Sequence, residues 1–205
     1  MRIAIVSEKS ALARNKDIVN ALKETGHEFI NVGMIKEGDP DLLFTHTGLI
    51  AALLLNYGLA DFVVGGCGNG QGFMNAAMQF PNVFCGVIRN SFDVWLFAQI
   101  NGGNCISLVL GQEYGFASDI KLKFTIEKLF SVEIGSGYPK HRKEPQDKLR
   151  EELSLISAAT HKNMDNCLRN LDKSYVKTCI THPNLKLVFD QADLSDEIKE
   201  YLSKL

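Results

Sequence analysis

Five times within its first 130 residues the chain sets a short apolar, often β-branched run before a segment of helical periodicity. The runs cover residues 2–7, 27–32, 61–64, 83–88 and 104–110. Four of them are largely apolar and uninterrupted, while the run 27–32 carries His27, Glu28 and Asn31 among its apolar residues. That pattern belongs to strands covered on both faces, as in a parallel sheet. Parallel neighbours need helical crossovers, and these are right-handed. The predicted fold is α/β: a doubly wound, Rossmann-like, five-stranded parallel sheet.

The intervening helices are predicted over 12–24, 41–57, 73–80, 91–100 and 116–130. Gly26 ends the first, and Ser91 is expected to cap the fourth, with Asp93 in its first turn. Ile120 and Phe124 are expected on one apolar side of the fifth. From residue 131 the texture changes. Gly135-Ser136-Gly137-Tyr138-Pro139 reads as a linker, followed by the basic cluster Lys140-His141-Arg142-Lys143. Amphipathic helices are expected at 146–159, 163–172 and 195–203, with Leu149, Leu153 and Ile156 on one stripe. The organisation expected is a domain over 1–135 and a linker with C-terminal helical extension over 136–205.

The net charge of −2, with both signs interspersed, leaves no basic footprint for nucleic acid. The longest apolar stretch, 49–55, is too short to span a bilayer, and no cleavable leader is evident. The cysteines at 67, 85, 105, 167 and 179 form no CxxC pair, which suits a reducing cytoplasm better than a disulfide framework or a zinc knuckle. The histidines show no ligand spacing, so no metal is expected.

The third strand runs directly into Gly65-Gly66-Cys67-Gly68-Asn69-Gly70-Gln71-Gly72. In an open parallel sheet, ligands bind at the carboxyl ends of strands. Glycines let backbone amides approach a ligand, and the next helix presents its positive end there. A cysteine in that field has its thiolate stabilised. It can attack an electrophile, or it can remove a proton beside a carbonyl while the amides hold the oxyanion. GxGxxG fails here, because the last position falls on Gln71 or Phe73, and the P-loop lacks its Gly-Lys-Ser/Thr end. A cysteine hydrolase, whose partners need not be near in sequence, stays open on these residues alone.

Four segments resemble the ribose-5-phosphate isomerase B / galactose-6-phosphate isomerase family. They are Arg2-Ile3-Ala4-Ile5-Val6-Ser7-Glu8-Lys9, the GCGNGQG loop at 66–72, Asn101-Gly102-Gly103-Asn104, and Gly137-Tyr138-Pro139-Lys140-His141-Arg142. The resemblance spans residues 1 to about 150. It implies an aldose–ketose isomerase of carbohydrate metabolism working through a cis-enediolate without cofactor or metal. It also implies a homodimer with active sites shared between subunits, or a tetramer built from such dimers. By it, Cys67 is the catalytic base and Asn69, in place of a threonine, assists catalysis. The amides of Gly68, Gly70 and Gly72 hold the oxyanion, and Asn101 contacts the sugar. His141 and Arg142 fall where the family grips its anion. Glu8 and Arg89, at the ligand-bearing edge, are further contacts.

Several positions depart from the family pattern. Ile100 stands where the ring-opening histidine is expected, Glu8-Lys9 replaces Asp-His, and an arginine gives way near Gln112-Glu113. The chain also resembles a branch acting on open-chain 4-deoxy-5-hexosulose uronates, which carry a carboxylate and no phosphate. The substrate class is therefore a sugar phosphate or such a uronate. The alternative is a non-catalytic binder of sugar acids or phosphates.

Overall fold

The apolar runs become five parallel strands: β1 (Arg2–Val6), β2 (Glu28–Asn31), β3 (Phe62–Cys67), β4 (Cys85–Ile88) and β5 (Cys105–Val109). Their order across the sheet is β2-β1-β3-β5-β4. A computed structural model describes every residue except Glu113 and Asp193, so the expected substitution at Glu113 lies outside the described residues. β3 is central. It pairs with β1 from Ile3–Phe62 to Val6–Gly65, and with β5 from Val63–Cys105 to Cys67–Val109. Every residue of β3 is buried, as its uninterrupted apolar run requires.

Helices α1 (Asn15–Lys23), α4 (Ser91–Leu96) and α5 (Ser118–Phe130) cover one face of the sheet. Helices α2 (Phe44–Asn56) and α3 (Gln71–Ala77) cover the other. The sheet is thus doubly wound. A 3₁₀ turn at Lys9–Arg14 takes up the start of the first predicted helix, and Gly26, at φ +72°, turns the chain after its end. Asn90 caps α4 one position before the expected Ser91. Its side-chain oxygen accepts the N–H groups of Phe92 and Asp93. α5 is rotated from the expected face: Leu122, Thr125, Ile126 and Leu129 are buried, while Ile120 and Phe124 are exposed. Both sets have helical spacing, so periodicity alone does not choose between them.

Among the described residues, five helices follow the linker: α6 (Lys143–Thr160), α7 (Met164–Asn170), α8 (Lys173–Ile180), α9 (Pro183–Phe189) and α10 (Asp196–Ser203). α8 and α9 were not anticipated from hydrophobic periodicity, being two turns each. Their local signals are present, however. The Asp172 carboxylate accepts the N–H groups of Ser174 and Tyr175, and Pro183 opens α9. α7 and α8 lie on the outer side of α2. Leu168, Val176, Cys179 and Leu185 share one buried cluster with Leu49 and Leu53. Each fully buried aliphatic side chain of this kind contributes about 1.5–3 kcal/mol. Tyr175 Oη donates to the Thr45 carbonyl at 2.6 Å, and Asn184 Nδ2 donates to the Gly33 carbonyl at 2.9 Å.

α4 continues into a π-helical turn at Phe97–Asn101, and the linker closes its end. The N–H groups of Gly135 and Gly137 reach the carbonyls of Ala98 and Gln99, and Arg150 Nη1 reaches that of Ile100 at 2.8 Å. Three terminal carbonyls are satisfied in this way. Leu149, Leu153 and Ile156 do form one stripe on α6, but it is half exposed in a single chain. Among the described residues, no helix is long and apolar enough to cross a membrane.

Candidate active site

From β1 the chain moves out to β2, then returns to β3 on the opposite side of β1. The carboxyl ends of β1 and β3 therefore flank a crevice at the topological switch point. Glu8 follows β1 and Cys67 ends β3, and both line one open cleft there. Ser10, Phe44, Asn69 and Gln112 complete much of its wall.

Cys67 is 6% exposed, with its thiol 3.7 Å from Asn69 Oδ1. The same oxygen accepts the Gln71 N–H at 3.0 Å. That bond identifies the oxygen, which leaves the carboxamide nitrogen as the donor end of Asn69. Gly70 caps α3 at φ +78°, a conformation that a β-carbon disfavours. Burial pushes Cys179 up to about 12 and holds Cys105 and Cys167 above the usual thiol range, so those three are packing groups.

The loop is pinned from β5. The Cys67 carbonyl accepts the Leu110 N–H at 3.1 Å, and the Gly68 carbonyl accepts those of Gly111 and Gln112 at 2.8 and 3.1 Å. The Gly70 carbonyl accepts the buried Ser107 hydroxyl at 2.5 Å. In a trans peptide the N–H points opposite to the C=O. With these carbonyls turned to β5, the N–H groups of Gly68 and Asn69 point away from it. Gly72 lies in the first turn of α3, where N–H groups lack intrahelical acceptors.

The other expected residues lie elsewhere in the same chain. Asn101 precedes β5, on the amino edge of the sheet. The five residues of β5, at about 3.3 Å each, put roughly 16 Å between the two edges. Asn101 there lines a separate groove with Phe97, Leu149 and Leu153. His141 and Arg142 stand exposed on a 3₁₀ turn at Lys140–Arg142 in the linker that closes the π turn. Within one chain these residues do not line the cleft that holds Cys67. Arg89 is on the correct edge, in a small cavity beyond β5 that shares Gln112 with the cleft.

Ser10 and Phe44 were not anticipated. Each lies on an element after β1 or β2, and only the sheet order brings them to Cys67. Phe44 begins α2, and its ring lies 3.0 Å from where a β-carbon on Gly72 would sit. Among the described residues, no group of three or more His, Cys, Asp or Glu is placed to hold a metal ion.

A doubly wound parallel sheet with a pinned glycine loop at its switch point defines a Rossmann-like α/β protein whose cleft holds a thiol. The chain belongs to the Ribose/Galactose Isomerase family, whose model matches residues 3–131. It is thus an isomerase that redistributes hydrogen within its substrate. It is similar to a 4-deoxy-L-threo-5-hexosulose-uronate ketol-isomerase solved with a tartrate, at 36% identity and TM-score 0.94. It is equally similar to a ribose-5-phosphate isomerase from Vibrio parahaemolyticus, at 36% identity and TM-score 0.93. Both similarities cover 100% of this chain and 98% of the other. A type B ribose 5-phosphate isomerase from Trypanosoma cruzi shares the fold, at 20% identity, TM-score 0.64, and coverage of 77% of this chain and 97% of its own. No match is found among curated protein sequences.

Proposed function

We propose that the protein is a cytoplasmic ketol-isomerase that interconverts an open-chain aldose and ketose through a cis-enediolate, with Cys67 as base. We further propose a 4-deoxy-5-hexosulose uronate as substrate. The observation that carries this reading is the cleft itself. It carries a thiol, and its own chain sets no histidine among its described lining residues. A cyclic sugar phosphate needs a proton donor to open its ring. Ile100 supplies no proton and lies near the amino edge. An open-chain uronate needs no ring opening. Full-length similarity to a uronate ketol-isomerase supports the same choice.

In this reading the Cys67 thiolate takes the C2 proton, and charge develops on O1. The N–H groups of Gly68, Gly70 and Gly72 and the carboxamide of Asn69 receive that charge, and the thiol returns the proton to C1. Substrate and amides act at closest range where water is excluded. Arg89 serves as an anion contact on the far side of Gln112.

Asn101, His141 and Arg142 enter through a homodimer. The half-exposed stripe Leu149, Leu153 and Ile156 borders the groove that holds Asn101. Pairing through that stripe would set Asn101 and the His141–Arg142 turn of one protomer against the other's cleft. Leu153→Asp is expected to give a folded monomer by light scattering and to lower kcat/KM at least tenfold. A Leu153→Asp dimer of full activity would reject this surface.

The test of the function follows substrates by proton NMR in deuterated water. Conversion of the 4-deoxy-5-hexosulose uronate, without conversion of pentose or hexose phosphates, is the expected result. Conversion of the phosphates would select the second reading, a sugar-phosphate isomerase, which the equal similarity to the Vibrio parahaemolyticus enzyme favours. Ligand-induced stabilisation without turnover of either set would mark a binding protein.

A further inference from the structure

Glu8 is an unusual carboxylate for an exposed cleft. It is only 4% exposed, yet it lines the wall across from Cys67. Its neighbour Lys9 is turned away and pairs with Asp41. Among the described residues Glu8 has no cation partner. Its contacts come from Ser10, whose backbone N–H donates to Oε2 at 3.1 Å and whose hydroxyl donates to Oε1. Ser10 Oγ in turn lies 3.9 Å from where a β-carbon on Gly68 would sit. The Glu8–Ser10 unit is therefore placed against the glycine loop one residue beyond the thiol. Its carboxylate caps the 3₁₀ turn at Lys9–Arg14, a task that an exposed side chain can serve equally well, whereas burying a carboxylate without a counter-charge is costly.

The isomerisation has a second proton to move. Cys67 accounts for the hydrogen that passes from C2 to C1. The hydroxyl proton must also pass from O2 to O1, and a thiol engaged at carbon cannot carry it. We propose that Glu8 is the catalytic residue that moves this oxygen-bound proton, oriented by Ser10, an inference that rests on the isomerase reading above. The sequence balances. The Cys67 thiolate takes the C2 proton, the C–H electron pair becomes the C1=C2 bond, and the carbonyl pair moves onto O1. The Glu8 carboxylate then takes the O2 proton and delivers it to O1. The pair left on O2 forms the C2=O bond while the C1=C2 pair takes the proton from the thiol. Cys67 and Glu8 finish as they began.

The experiment measures two rates in deuterated water with the 4-deoxy-5-hexosulose uronate: deuterium entering C2 of recovered substrate, and ketose formed. Glu8→Gln cannot shuttle the oxygen proton, so its enediolate survives longer and returns more often. Ketose formation is expected to fall about 10²-fold, the usual scale for loss of one acid–base group. Exchange should fall much less, raising the exchange-to-product ratio at least tenfold. A group that only packs or binds would slow both rates together. An unchanged ratio overturns the proposal. Glu8→Asp keeps the carboxylate one methylene shorter, and is expected to raise the ratio at least threefold. It decides the matter should the Gln variant not fold, since an unchanged ratio there is equally fatal. Wild-type protein showing neither exchange nor product would overturn the uronate-isomerase reading and this proposal with it, whereas an active wild type with an unaltered Glu8→Gln ratio removes the proposal alone.

Discussion

Cys67→Ala is expected to form no ketose above about one part in 10³ of the wild-type rate, and to incorporate no deuterium at C2. Removing the base eliminates proton abstraction itself, an effect on the scale of 10²–10⁴-fold. Both readouts should vanish together, unlike the divergence expected at Glu8. The variant should stay folded, because Cys67 sits at the rim of its hydrophobic cluster and alanine is tolerated at a strand end. Its melting temperature should lie within a few degrees of wild type. Full activity in Cys67→Ala would show that another group removes the proton.

Gly111→Val should have the second largest effect, with no change to any reactive group. A β-carbon on Gly111 would stand 2.9 Å from the Gly68 Cα and 3.0 Å from its carbonyl oxygen. Both are backbone atoms, so no side chain can swing aside. The clash falls on the hydrogen bond that pins the Gly68 carbonyl to the Gly111 N–H. Relief must come from moving the glycine loop relative to β5, which displaces the amides that face the substrate. Misplacement of about 1 Å at a reacting site costs roughly 10²-fold, and overpacking costs about 1–3 kcal/mol of stability. The expected result is a kcat about 10²-fold lower with a protein that still folds. Thermal denaturation and steady-state kinetics on the same preparation check both halves. A variant with normal kcat would mean the loop is not held by β5.

The parts of the fold legible in the sequence are those set by local patterning. The five strands appear where the runs predict them: β3 is buried throughout and leaves no room for polar residues, while β2, at the edge, keeps Glu28 exposed and its other residues half-buried. The position of β5 between β3 and β4 is not legible, since a right-handed crossover can skip a neighbour without changing the pattern of either strand. The rotation of α5 is hidden for a related reason: Ile120–Phe124 and Leu122–Ile126 are both spaced for a helix face, and tertiary contact selects between them. α8 and α9 are short, and Thr181-His182-Pro183 between them reads as loop. Cys67 and Asn69 are legible because glycines surround them on one loop. Ser10, Phe44 and Gly111 are not, as each is brought there by the end of a different strand.

α2 is buried over eight consecutive residues from Thr47 to Leu54, all around its circumference. A helix apolar on every side demands cover on every side. α3 and the sheet provide part of that cover, and α7 and α8 provide more of it. Any polypeptide cut after the sheet unit would thus leave a greasy cylinder facing water, and its natural escape would be self-association. The requirement for the last third of the molecule is already written into FTHTGLIAALLLN, a hundred residues before those helices are made. A shorter chain with this sheet must carry a different, amphipathic second helix.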